Sequence, residues 1–266
     1  HKNVTITLGT ESYQDQAKRP HDSLVFSNNK RSISYFNIGA FSEVALSNNI
    51  ANFILGARYD YHSQFGKAFV PRFAITKVVN KFHFKGLISR AFKAPVISNF
   101  ELNSNIKPEL TTVSELEIGY QLNDHWSLIS NAFYIDINDP ILYAYDGETF
   151  EENYVNFEKA STIGTELSLR TKQKWGFVHL NYSFYKNNNT KAAPYENELD
   201  DKLLNAFPAH KIAFISAVNI KELMIAPSII YNSKKIGHFY QAEYWEEYGP
   251  KAVSYTHLTL PTTPYV

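Results

Sequence analysis

The sequence contains no cysteine, one methionine and only 11 glycines and 11 prolines among 266 residues. Without cysteine the chain has neither a disulfide framework nor a thiolate metal site, so ordinary packing or a membrane must stabilise it. It also has no run of about 18 consecutive apolar residues, which excludes a helical membrane protein. The 26 basic and 26 acidic side chains cancel, which argues against a nucleic-acid partner.

Hydrophobic residues are nevertheless abundant, at 44% of the chain, and aromatic residues reach 15%. This composition is too rich in large apolar side chains for a disordered protein. The chain begins at His1 without a visible targeting signal. Residues 252–266 depart from the upstream pattern and resemble a translated cloning adapter, although a natural Thr/Pro-rich tail is the alternative. We therefore expect one domain over 1–250 and a non-native tail over 251–266.

Alternation of apolar and polar residues dominates the sequence and predicts strands with two different faces. In residues 114–122, for example, Leu116 and Ile118 share one face, whereas Glu115 and Glu117 share the other. The pattern predicts eleven strands, near 3–15, 32–47, 51–62, 69–78, 82–92, 112–122, 126–138, 162–172, 176–186, 208–219 and 223–233. Most of them have the length of a tilted bilayer crossing, which is about 9 to 11 residues.

The connections between these strands distinguish a membrane barrel from a soluble sandwich. Long and short links alternate along the chain, and all the tight links fall at one end of the sheet. Outer-membrane barrels show this arrangement, with tight turns on the periplasmic side and long loops outside. Trp126, Trp175 and Phe82 stand next to tight links, where an aromatic girdle is expected. The sequence thus predicts an all-β, antiparallel, up-and-down transmembrane β-barrel.

Several short segments carry a family resemblance. They are LGARYDY (55–61), FVPRF (69–73), RAFKAP (90–95), NIKPE (105–109), EIGY (117–120), ASTIGTEL (160–167) and PAHK (208–211). In order and spacing, over residues 50–233, they resemble the barrel of TonB-dependent outer-membrane receptors. Lys93 stands where arginine is usual in one of these boxes.

The resemblance implies a barrel of about 22 strands that is filled by an N-terminal plug. Eleven strands are half of that number, so we expect a partial barrel with open edges. The resemblance also implies partners, namely the TonB complex, reached through a plug absent from this chain, the lipid of a Gram-negative outer membrane, and a metal chelate or vitamin ligand. No cofactor is implied.

Signs of catalysis are scarce. The sequence has no nucleophile elbow, no phosphate-binding glycine loop and no metalloprotease motif, and no two histidines lie two to five residues apart. We therefore predict no catalytic residue and no metal site. Glu196, Glu198, Asp200 and Asp201 form an acidic cluster that lacks the spacing of a calcium loop, so a solvated loop is the favoured interpretation.

Candidate ligand-binding residues lie toward the long-loop end. Arg58, Arg72 and Arg90 fall near the outer ends of their strands, where a cationic ring would attract an anionic chelate. The alternative is that Arg58 pairs with Asp60 or its neighbours, and Arg90 with Glu115 or Glu117. Tyr143, Tyr145 and Tyr154 lie in a long aromatic-rich loop and could stack on a ligand or pack the loop onto the rim.

The leading hypothesis is therefore an outer-membrane receptor fragment for TonB-dependent uptake of a scarce solute such as a ferric siderophore or cobalamin. A haem ligand is disfavoured, because residues 96–104 lack the histidine that haem receptors of this family carry there. One alternative is a self-contained outer-membrane hydrolase of about twelve strands. The other is a soluble binding sandwich.

Overall fold

The computed structural model describes residues 3–20, 26, 29–145, 152–197, 199–239, 244–248 and 251–259. Strands make up most of this part of the chain. They are β1 (Asn3–Lys18), β2 (Ser32–Ser47), β3 (Asn52–His62), β4 (Gly66–Val79), β5 (Phe82–Lys93), β6 (Glu109–Gln121), β7 (Trp126–Asn138), β8 (Ile141–Tyr145), β9 (Glu152–Asn156), β10 (Lys159–Gln173), β11 (Gly176–Asn187), β12 (His210–Ile220), β13 (Leu223–Asn232), β14 (Lys235–Phe239), β15 (Tyr244–Tyr248) and β16 (Lys251–Thr259).

Twelve of the strands form one antiparallel sheet in the order β1-β2-β3-β4-β5-β6-β7-β10-β11-β12-β13-β16. All eleven strands expected from the alternation are confirmed within it, and the sheet is open, with β1 and β16 at its two ends. The twelfth strand, β16, pairs with β13 from Met224↔Thr259 to Asn232↔Lys251. It lies in the segment expected to be non-native, and its pairing does not test the origin of that segment, which stays a prediction.

Tight and long connections alternate as expected. The tight ones, residues 48–51, 80–81, 122–125, 174–175 and 221–222, all lie at one end of the sheet. Asn80 and Lys221 adopt positive φ in the two-residue turns, the geometry that such hairpins require. One tight turn lies at the opposite end, because β4 begins at Gly66 rather than near residue 69 and leaves only residues 63–65 as the link from β3.

The two faces of the sheet differ sharply in polarity. One face, which we call the apolar face, carries exposed large hydrophobic side chains along nearly every strand. Examples are Ile6, Leu8, Leu55, Phe73, Ile88, Leu116, Ile118, Leu167, Leu180 and Ile229. The register places polar and charged side chains on the other face, which we call the polar face: Glu11, Arg58, Asp60, Lys85, Glu115, Asn131, Glu166 and Lys211. An apolar exterior with a polar interior is the pattern of a membrane barrel.

The height of the apolar face can be estimated from β4. Lys67 and Lys77 both lie on this face, ten positions apart, with Phe69, Pro71, Phe73 and Ile75 between them. At about 3.4 Å per residue and a tilt of about 40°, this separation spans about 26 Å across a membrane. The apolar band therefore matches the thickness of about 25 Å that outer-membrane barrels present to lipid.

Aromatic rings gather at the tight-turn end of the apolar face. The Phe82 ring lies 4.6 Å from the Tyr120 ring and 6.0 Å from the Phe84 ring, centroid to centroid. Trp126 begins β7 at the same end, and Trp175 lies in a tight turn with 42% of its surface exposed. This grouping fits the aromatic girdle expected at a membrane interface.

Helical structure is limited to short pieces in the long connections. α1 (Ile97–Leu102) follows β5, and a single 3-10 turn, Ala193–Tyr195, follows β11. No helix in the described residues has the length and apolar character needed to cross a membrane. Two further hairpins, β8–β9 and β14–β15, rise from the long connections after β7 and β13.

Candidate ligand-binding site

The long loops meet at one end of the sheet in a small apolar core, which we call the loop core. It consists of Phe26, Ile33, Tyr35, Phe100, Ile106 and Ile141, with Ala17, Phe65, Ile97 and Tyr154 packed against it. These residues come from β1, the β1–β2 connection, β2, the β3–β4 turn, α1 and its following loop, and the β8–β9 hairpin. Burial of these side chains holds the loops together, so this end of the sheet is a folded surface.

Aromatic contacts anchor the loop core to the polar face. The Tyr35 ring lies 5.5 Å from the His62 ring and meets the Phe100 ring edge-on at 5.9 Å. His62 is buried, and its Nδ1 accepts hydrogen bonds from the backbone N–H groups of Gln64 at 3.2 Å and Phe65 at 3.4 Å. His62 thus fixes the tight β3–β4 turn beneath the loops.

The loop that contains α1 is tied to the β8–β9 hairpin by polar contacts. Asn103 Nδ2 donates to the carbonyl of Tyr154 at 2.8 Å. The Lys107 N–H donates to Asn156 Oδ1 at 2.7 Å, and Asn156 Nδ2 donates back to the Lys107 carbonyl at 2.9 Å. This reciprocal pair fixes the hairpin against its neighbour, which gives its aromatic side chains a defined position.

The three candidate tyrosines lie in this hairpin and have different surroundings. Tyr143 and Tyr154 are opposite each other in the register, with their rings edge-on at 5.6 Å. Tyr154 packs against the loop core, whereas Tyr143 is 45% exposed. The backbone of Tyr145 pairs with Glu152, and its side chain lies outside the described part of the chain. Tyr154 therefore serves the packing role that the sequence left open, and Tyr143 presents a ring to solvent.

Arg58 is an ion-paired residue of the polar face. Its Nε and Nη2 each donate to Asp60 at 2.7 Å, and Nη2 also contacts Glu11 at 2.9 Å. Asp60 is buried beneath this contact. The structure therefore confirms the alternative interpretation, in which Arg58 pairs with Asp60, and it adds Glu11 from β1. This three-residue group, which we call the Arg58 cluster, ties β1 to β3.

Arg72 lies on the same face as Arg58 but has no ion pair in the described residues. A Cβ atom added to Gly56 would lie 3.7 Å from Arg72 Cβ and 3.8 Å from Glu43 Oε2, so the absence of a side chain at Gly56 leaves space between these two charges. Glu43, Arg58, Arg72 and Ser89 border an open cavity of about 490 Å³. The Arg72 side chain is exposed beside this cavity.

Arg90 does not join the other two arginines. The β5–β6 register runs one-to-one from Phe82↔Tyr120 to Lys93↔Glu109, and it pairs Arg90 with Thr112. Arg90 borders the cavity, but this register puts its side chain on the apolar face. The acids considered as its partners bind other groups, since Glu115 lies 3.3 Å from Lys85 Nζ and Glu117 lies 3.4 Å from His83 Nδ1.

Two acidic residues beside these arginines have no role in the sequence-based site. Glu11 and Glu43 escaped notice because only the register of β1, β2 and β3 brings them to Arg58 and Arg72. Among the described residues, no group of three or more His, Asp or Glu side chains could hold a metal ion. Glu198, one member of the acidic cluster, lies outside the described residues.

Comparison with models of protein families assigns this architecture to a known family. The family model described as "TonB dependent receptor-like, beta-barrel" matches residues 3–254. The chain belongs to this family. Members of the TonB-dependent receptor family are receptors for transport rather than enzymes, so the family assignment does not support the alternative of an outer-membrane hydrolase. A comparison with curated protein sequences found no match.

Solved TonB-dependent receptors share the fold at low sequence identity. The siderophore receptor PirA from Acinetobacter baumannii is 17% identical with a TM-score of 0.80, over 98% of this chain and 46% of its own. A variant of the ferric enterobactin receptor PfeA from Pseudomonas aeruginosa is 17% identical with a TM-score of 0.77, over 98% and 44%. The FrpB iron transporter from Neisseria meningitidis is 15% identical with a TM-score of 0.64, over 83% and 37%. The chain thus spans less than half the length of these receptors.

Proposed function

We propose that this chain is part of an outer-membrane receptor that takes up a ferric siderophore by a TonB-dependent mechanism in a Gram-negative bacterium. The family match over residues 3–254 carries the proposal. The two-faced sheet supports it, because an exposed apolar band of about 26 Å suits a bilayer and a polar face suits a filled lumen. Energy coupling would be supplied by a plug and by TonB, which lie outside this chain.

The cargo class is inferred from two observations. Three of the solved relatives are described as a siderophore receptor, a ferric enterobactin receptor and an iron transporter, and one PfeA structure contains enterobactin. In this chain, Arg72 provides an exposed cation beside the 490 Å³ cavity, and Tyr143 provides an exposed ring on the loop surface. A cation and an aromatic face suit an anionic, ring-bearing iron chelate better than a large neutral vitamin such as cobalamin.

Each candidate residue has a distinct proposed role. Arg72 would attract the negative charge of the chelate into the cavity, and Tyr143 would stack on it, with Tyr145 as a further contact from the same strand. Arg58 and Tyr154 would act by holding the wall and the loop in place, because their polar or apolar surfaces already have partners. Arg90 has no proposed ligand contact.

Uptake of a radiolabelled ferric siderophore by cells that express the full-length receptor tests this function. We expect uptake to require TonB, and Arg72→Gln to raise the siderophore Kd by about tenfold, because one charge-assisted contact contributes about 1.5 kcal/mol. Arg170→Gln is the matched control, since Arg170 lies on the same face but toward the tight-turn end. TonB-independent uptake, or equal effects of the two substitutions, would contradict the proposal.

A further inference from the structure

The cavity beside Arg72 also contains an acid without a partner. Glu43, on β2, borders the cavity, and its side chain is half-buried. Neither Glu43 nor Arg72 forms an ion pair in the described part of the chain. A partly desolvated carboxylate is stabilised when a cation contacts it. Glu43 therefore offers a contact for a positive group that enters the cavity.

Gly56 keeps the two charges apart but open to the same space. The register aligns Glu43, Gly56, Arg72 and Ser89 in one row across β2, β3, β4 and β5. Glu43 and Arg72 are thus two strand spacings apart, or about 10 Å between their backbones. Because Gly56 has no side chain, nothing rises from the strand between them. The row presents an acid, a gap and a base, with the Ser89 hydroxyl beyond the base.

An aromatic ring borders the acidic end of this row. Phe41 lies two positions from Glu43 on the same face of β2, and 37% of its surface is exposed. Its ring occupies the space that a side chain at Gly9 would fill, and the residue borders the cavity. An ammonium group is attracted both by a carboxylate and by an aromatic ring. Phe41 and Glu43 together therefore suit an ammonium group.

The charge of the polar-face residues around the cavity is not positive overall. Arg58 also borders the cavity, but Asp60 and Glu11 hold its guanidinium group. With Glu43 and Arg72, these residues provide two guanidinium groups and three carboxylates, a net charge of −1. A chelate with only negative charge would gain the contact with Arg72, but the excess of carboxylates would oppose it. An ammonium group on the same chelate would offset that repulsion.

We propose that this cavity selects an iron chelate that carries both an anionic group and a free ammonium group, with Glu43 as the specificity-determining residue. The inference rests on the proposed function and narrows the class of cargo within it. The anionic group would contact Arg72 and the Ser89 hydroxyl, and the ammonium group would contact Glu43 beside the Phe41 ring. A chelate without the ammonium group would leave the Glu43 carboxylate unneutralised.

The test measures the Kd of the full-length receptor for matched chelates of radiolabelled iron. Two anionic complexes, a tricatecholate and an α-hydroxycarboxylate, are each prepared with one free primary amine and again with that amine acetylated. Glu43→Gln removes the acid and nearly preserves its shape. Glu166→Gln is the matched control, because Glu166 is an acid of the same face without an ion pair in the described residues, about 29 Å away along the sheet.

We expect the unaltered receptor to bind the amine form about tenfold more tightly than the acetylated form, which is the effect of one charge-assisted contact. Glu43→Gln should abolish this preference, whereas Glu166→Gln should keep it. A merely structural role of Glu43 would change the Kd of both forms alike and leave their ratio unchanged. Equal binding of the two forms by the unaltered receptor, or a preference that survives Glu43→Gln, would overturn the proposal.

The same measurements separate this inference from the proposed function. If the receptor binds both forms equally and uptake requires TonB, the selectivity is refuted and the receptor function stands. If neither chelate binds in either form, the proposed uptake of an anionic iron chelate is refuted, and the selectivity with it.

Discussion

At the scale of single residues, charges on this sheet differ in whether they have partners. Arg58 is held by Asp60 and Glu11, whereas Arg72 faces the cavity with no ion pair in the described residues. Arg90 lies on the opposite face. Three arginines that the sequence suggests as one ring therefore divide into a structural residue, a candidate ligand contact and a residue of the apolar face.

The Arg58 cluster leads to a prediction about stability. Arg58→Gln should lower the free energy of unfolding by about 1 to 3 kcal/mol, because it leaves the buried Asp60 carboxylate without its partner. Urea unfolding of the folded protein in vesicles would measure this loss. Adding Asp60→Asn to the variant should restore part of the stability, since the unpaired charge is then removed.

Lys191→Gln is the control for this prediction. The Lys191 and Glu158 side chains are 52% and 68% exposed and contact each other at 2.6 Å, so solvent screens the pair and its loss should cost less than about 1 kcal/mol. A cost for Arg58→Gln no larger than that for Lys191→Gln would refute a structural role for the Arg58 cluster.

At the scale of elements, alternation predicted the strands well because the membrane imposes one apolar face on each of them. The alternation did not predict the structure of the long connections, where loops pack on one another. The β8–β9 hairpin and α1 have no strong periodicity of their own and are held by contacts with the loop core. The Glu11–Arg58 contact depends on two registers, that of β1 with β2 and that of β2 with β3, which no single strand reveals.

The β3–β4 turn, which is three residues shorter than the sequence predicts, allows a prediction about one element. Gly66 has a φ of +78° with no heavy atom within 4 Å of an added Cβ, so the constraint on this residue is purely conformational. Gly66→Ala should therefore lower the free energy of unfolding by about 1 kcal/mol. Urea unfolding in vesicles would measure the change.

Gly56→Ala provides the comparison within the neighbouring strand. An added Cβ there meets its nearest atoms at 3.7 Å or more, which is ordinary van der Waals contact. We expect that substitution to change stability by less than about 0.5 kcal/mol. If Gly66→Ala were no more destabilising than Gly56→Ala, the positive φ at the turn would not be required for folding.

At the scale of the whole molecule, the proposed function depends on which material touches the apolar face. Its exposed hydrophobic residues, its height and the aromatic residues at its border all suit the hydrocarbon interior of a membrane. The polar face carries ion pairs along several strands, as expected for a lumen. The proposed receptor function requires this orientation.

Spin labelling of single cysteines tests the orientation most directly, and the chain has no cysteine of its own to interfere. Leu116→Cys labels the apolar face, and Glu166→Cys labels the polar face within the same middle region of the sheet. In reconstituted vesicles, oxygen dissolved in the lipid should reach the label at 116 but not the label at 166, and a water-soluble nickel complex should not reach the label at 116. A label at 116 that is shielded from both reagents, as under a second protein layer, or reached by the nickel complex would contradict the account.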